Sequence, residues 1–96
     1  MIRLSEDERN LVKEILARWV PGIAVNAFGS RTRSGTKKWG DLDLAIMTDT
    51  HIPSAVMMSL KLVFSESDLP WRVDVIDWTR ASESFKERIA SDLTPL

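Results

Sequence analysis

Asp41 and Asp43 are the residues of this chain whose placement most needs a chemical reason. They flank Leu42 in a stretch, Asp41 to Met47, that alternates like a strand. Leu42, Leu44 and Ile46 share one face, and Asp41, Asp43 and Ala45 the other. Side chains two apart on a strand stand about 6–7 Å apart at the backbone. Unneutralised carboxylates this close repel and raise one of the two pKa values. A divalent cation removes the conflict, and carboxylate oxygens are the ligands that magnesium prefers. Two ions about 3.5–4 Å apart can share such a pair if a third acid completes the set. Asp74, on a segment otherwise built of valine, isoleucine and tryptophan, is the natural third. Asp41 alone reads more simply as the end of a loop. The three acids together, on apolar strands, read less well as a solvated sheet face. Asp77 falls on the face opposite Asp74 and reads as a turn or helix-entry acceptor.

Upstream, Gly29-Ser30 closes another apolar segment. Glycine permits close backbone approach, and successive backbone N–H groups with a serine hydroxyl can bind phosphate oxygens. Arg31, Arg33, Lys37 and Lys38 follow within eight residues, four of the chain's thirteen bases. They are placed to neutralise a triphosphate whose metal sits on the acids just downstream. Gly-Ser is by itself a common turn dipeptide, so the information lies in the joint arrangement.

Several elements must hold these groups. Ser5 and Glu8 form a capping-box pattern, followed by Leu11, Val12, Ile15, Leu16 and Trp19 at helical spacing up to Pro21-Gly22. Ile23 to Phe28 reads as a short buried strand. Pro53 opens a second helix carrying Val56, Met57, Leu60, Val63 and Phe64, ending before Asp68-Leu69-Pro70. Trp71 to Trp78 is a third strand, with Val73 and Val75 on one face and Asp74 and Ile76 on the other. Ser82, Glu83 and Phe85 start a last short helix to about Ala90, with Pro95 beyond it. This order predicts an α/β (α+β) fold, a small mixed β-sheet flanked by helices. Residues 1–96 read as a single domain.

Composition removes other chemistries. Thirteen Lys and Arg against fourteen Asp and Glu leave a net charge of −1, so no general basic field exists to hold a nucleic-acid backbone. Zero cysteines exclude disulfides, thiol catalysis and Cys-ligated zinc, and the lone His51 excludes a multi-histidine cage. His51 itself reads as a loop residue. No apolar run reaches about 18 residues, and the first helix opens on acids where a signal peptide needs an apolar core. The expectation is a soluble, cytoplasmic protein without membrane contact. So small a chain has little material for a deep pocket, which points to a site shared with a partner. Trp39 reads as a loop anchor or a nucleobase stacker. Trp71, Trp78 and the Met47, Met57 and Met58 group read as packing or interface residues.

Gly29-Ser30, ten intervening residues and then Asp41-Leu42-Asp43 resemble the signature of the DNA polymerase β-like nucleotidyltransferase superfamily. The strings FGSRTRSGTKKWGDLDLAI and SDLPWRVDVIDW look like its minimal, single-domain branch. The resemblance runs from about Ala24 to Trp78. It implies that Gly29 and Ser30, helped by Arg31 and Lys37, bind nucleotide phosphates. It implies that Asp41, Asp43 and Asp74 are the catalytic, magnesium-binding carboxylates, and that ATP is the substrate. It further implies AMP transfer to a hydroxyl, in minimal members a tyrosine of a helical HEPN-type RNase toxin, with which the transferase forms a hetero-oligomer as antitoxin. Ser34 stands where many relatives have glycine, and Gly40 where they commonly have serine; neither changes the acid spacing. Two other readings stand beside this one. A non-catalytic module would neutralise its partner by occlusion alone. A transferase for a small molecule such as an aminoglycoside would need a substrate domain that this chain lacks.

Overall fold

The structure is a computed structural model and describes residues 4–29 and 41–96. Its first element, α1 (Glu6–Trp19), begins where the sequence sets a cap. The Ser5 hydroxyl accepts from Glu8 N at 3.1 Å, and Glu8 Oε1 accepts from Ser5 N at 2.9 Å. Glu6, Asp7 and Glu8 place negative charge at the positive end of the helix dipole. Val12, Ile15 and Leu16 form its buried stripe. Gly22, at φ +74°, turns the chain back toward the sheet.

The sheet contains β1 (Val25–Phe28), β2 (Leu42–Ile46), β3 (Val73–Asp77) and β4 (Thr94–Pro95), in the order β3-β2-β1-β4. β1 runs antiparallel to both β2 and β4, whereas β2 and β3 are parallel. Parallel neighbours need a crossover, which α2 (Ser54–Glu66) supplies by burying Leu60 and Phe64. Leu42, Leu44 and Ile46 of β2 meet Val73 and Val75 of β3 and the apolar stripes of α1 and α2 in one core. The expected two-residue alternation therefore holds on both strands.

The opposite sheet face carries both apolar packing and the acids. There Phe28, Ala45 and Ile76 pack with Phe85 and Ile89 of α3 (Glu83–Ile89). Phe28 and Phe85 meet edge to face, with centroids 5.8 Å apart. Asp43, the register partner of Phe28, and Asp74 lie on this same face. The mixed α/β architecture and the three flanking helices agree with the sequence expectation. The strands are shorter than expected, Val25–Phe28 for Ile23 to Phe28 and Val73–Asp77 for Trp71 to Trp78.

β4 is new. Thr94 and Pro95 pair with Ala27 and Asn26, Leu96 N donates to Val25 O, and Arg9 Nη1 donates to Leu96 O. Two residues leave no periodicity to read, and proline is tolerated there because the strand lies at a sheet edge. No described helix is long and apolar enough to cross a membrane.

Candidate active site

The acids are brought together by strand register. Asp43 of β2 lies directly opposite Asp74 of the parallel β3, and Phe28 of β1 lies opposite Asp43 on the other side. Neighbouring strands are about 4.8 Å apart, so the two carboxylates leave the same face side by side. Asp41 stands exposed just ahead of β2, two residues from Asp43.

The electrostatics of Asp43 follow from this placement. Partial burial pushes its carboxyl pKa upward, and the charges of Asp74 and then Asp41 push it further the same way. The Asp74 carboxylate faces the guanidinium of Arg72, with Nε 3.2 Å from Oδ1. Among the described residues, no three His, Cys, Asp or Glu side chains converge closely enough to enclose an ion.

Gly29 is the second component. Its φ is +80°, a conformation that residues with a Cβ rarely adopt. A Cβ at this position would also lie 2.6 Å from Asp43 Oδ2. The turn that follows β1 and the central carboxylate therefore occupy adjoining space, and only glycine lets them do so. Ser30, Arg31 and Lys37, with Arg33, Lys38 and Trp39, lie outside the described residues.

Carboxylate oxygens are the ligand type that a hard divalent cation takes, and Gly29 keeps the space beside Asp43 clear of a side chain. A groove of about 480 Å³, lined in part by Lys61, Trp71 and Arg72, reaches Asp74 from the open edge of β3. A separate cleft of about 500 Å³ between α2, β3 and α3 has Asp77, not these acids, in its wall.

Asp77 has a structural role, as its strand face suggests. Its Oδ2 accepts from Ile52 N at 2.7 Å, and its Oδ1 accepts from Thr79 N at 2.9 Å and the Thr79 hydroxyl at 2.6 Å. With its hydrogen directed at Asp77, the Thr79 hydroxyl accepts from His51 Nδ1 at 2.6 Å. This network ties the approach to α2 onto the end of β3.

Arg72 is the residue that sequence reasoning passed over. It lies two positions before Asp74, and the same alternation that grouped the acids also places it on their face.

The polymerase β nucleotidyltransferase family model matches residues 10–95. The chain belongs to the polymerase β nucleotidyltransferase family. This nucleotidyltransferase is 48% identical over 86 residues to "Probable protein adenylyltransferase MntA" of Haemophilus influenzae. The match covers 90% of this chain and 75% of that relative. The family match takes in all three acids and Gly29, so β1, β2 and β3 are the strands on which the nucleotidyltransferase positions them.

Proposed function

We propose that this nucleotidyltransferase, as a single minimal domain over residues 1–96, transfers AMP from ATP to a protein hydroxyl in a magnesium-dependent reaction. The acceptor is a tyrosine of a cognate helical HEPN-type RNase toxin. Transfer makes the protein the antitoxin of a cytoplasmic hetero-oligomeric pair. The observation that carries the reading is the in-register pair Asp43 and Asp74, with Asp41 beside them and Gly29 against Asp43. The name of the Haemophilus influenzae relative supports adenylyl transfer to protein. The HEPN partner follows from the resemblance of residues 24–78 to minimal transferases.

In this reading Asp41, Asp43 and Asp74 hold the magnesium. When bound, the metal supplies Lewis-acid stabilisation of the charge that develops on the α-phosphate and on departing pyrophosphate. Gly29 and Ser30 seat the polyphosphate with backbone N–H groups and a hydroxyl, and Arg31 and Lys37 offset its charge. Asp74, at the end of the edge groove, receives the proton of the acceptor hydroxyl. The acceptor oxygen bonds to the α-phosphorus as the bond from that phosphorus to the β-phosphate bridging oxygen breaks, and pyrophosphate leaves. Positioning and charge stabilisation supply most of the rate in such a transfer.

The test is intact-mass measurement of the cognate partner after incubation with the transferase, ATP and magnesium. The wild-type protein adds AMP to the partner, and Asp41→Asn or Asp43→Asn abolishes the addition. Undiminished transfer by both variants would refute the metal assignment. Growth rescue by Asp43→Asn equal to wild type would favour a binding module that acts without catalysis.

A further inference from the structure

We propose that Arg72 is a tethered cation that occupies Asp74 in the metal-free protein and competes with the divalent ion for that carboxylate. The inference rests on the metal-binding role given above to Asp74. It identifies a positioning residue that sets how tightly, and in exchange for what, the ion binds.

Three observations carry it. The Arg72 backbone is fixed, because its carbonyl accepts from Leu42 N at 2.9 Å and so joins the start of β3 to β2. Its side chain is not fixed in the same way, since it is 75% exposed while its Nε lies 3.2 Å from Asp74 Oδ1. Asp74 is itself 43% exposed at the side chain. An ion pair this open to water is weak and exchanges readily. A divalent cation carries twice the charge of a guanidinium and binds carboxylate oxygen directly.

Among the described residues Asp43 has no such ion-pair partner, and it carries the repulsion of both neighbours. Arg72 therefore offsets part of the charge of the acid group by drawing Asp74 aside. Metal loading must swing the guanidinium away. Because Arg72 is anchored at its backbone, it stays beside the site after release, on the wall of the groove that leads to Asp74.

The test is titration of the metal-free full chain with Mn²⁺ alone, followed by electron paramagnetic resonance, at fixed ionic strength. Arg72→Gln tightens Mn²⁺ binding about two- to fivefold, the range expected when an exposed ion pair no longer competes. Arg72→Lys, which keeps the charge, restores affinity toward the wild-type value. Asp74→Asn weakens binding, and adding Arg72→Gln to Asp74→Asn brings little further change. That last arm separates specific pairing from a general field effect, which would tighten binding in either background. Unchanged or weaker Mn²⁺ binding by Arg72→Gln, with Asp74→Asn still weakened, overturns the role of Arg72 alone. Unchanged binding by Asp74→Asn overturns the metal-ligand reading of Asp74, and this inference falls with it.

Discussion

Asp43 pairs the greatest chemical promise with the clearest thermodynamic cost. Its folded pKa is raised above the ordinary 3.8 by burial, then by Asp74 and Asp41. A carboxyl shifted this way stabilises the fold fully below its unfolded pKa, and that contribution is lost as pH rises through the folded value. At neutral pH the ionised group opposes folding of the metal-free protein. Asp43→Asn is therefore expected to raise Tm at pH 7 while eliminating transfer, a trade of activity for stability common at functional sites. The Tm difference from wild type should shrink as pH falls below about 4, where Asp43 becomes neutral in both states. A lower Tm for Asp43→Asn at pH 7 would contradict this account of the site's charge.

Gly29 gives the complementary case. Gly29→Ala strains a backbone at φ +80°, a cost of about 1–2 kcal/mol. Its new methyl group must also displace the Asp43 carboxylate, the mobile end of a side chain. Urea unfolding should show the modest loss, and transfer assays a much larger one, since the carboxylate proposed to bind the metal is what moves.

At the scale of elements, the site depends on where strands stop and which lie side by side. The alternation of Leu42, Leu44 and Ile46 against Asp41, Asp43 and Ala45 was readable in the sequence because one face is wholly of large apolar residues and the other carries the acids. The alignment of Asp43 with Asp74 was not readable in that way. It requires β2 and β3 to be parallel neighbours, and alternation within each strand carries no information about its partner. β4 was likewise invisible, being two residues with a proline. The contact of Gly29 with Asp43 arises only when β1 and β2 pair.

Asp77 shows how a second acid on β3 can serve packing instead. Burial alone would raise its pKa, but hydrogen bonds from Thr79 and Ile52 and the nearby Arg80 outweigh that and lower it. Its stabilising contribution is thus present above its unfolded pKa and lost as pH falls through the folded one. Asp77→Ala leaves the Ile52 and Thr79 donors without their acceptor, at a cost of about 1–3 kcal/mol. Thermal unfolding should show Tm falling by several degrees. An unchanged Tm would mean that the link from β3 to the start of α2 carries no load.

At the scale of the molecule, the sheet divides its labour between its two faces. One is covered by α1 and α2 and forms the main core. The other is covered in part by α3, through Phe28, Ala45 and Ile76, and it also carries Asp43 and Asp74. A chain of 96 residues has little material for a closed pocket, and in the proposed function the acceptor protein forms the missing wall. The near balance of charge, −1 in total, fits a site whose negative potential is local to these carboxylates. Composition could exclude cysteine and multi-histidine chemistry, and the acid and glycine spacing could point to the family. Neither could supply the Arg72 ion pair, which depends on how two neighbouring side chains turn.

The most direct test of the central claim is a crystal structure with Mn²⁺ and a non-hydrolysable ATP analogue, read by anomalous scattering. The account predicts a manganese peak bonded to Asp41 and Asp43, with Asp74 turned from Arg72 toward the same ions and the phosphates seated on the Gly29 turn. Manganese bound only through the nucleotide, with Asp74 still paired to Arg72 and no carboxylate within bonding distance, would contradict it.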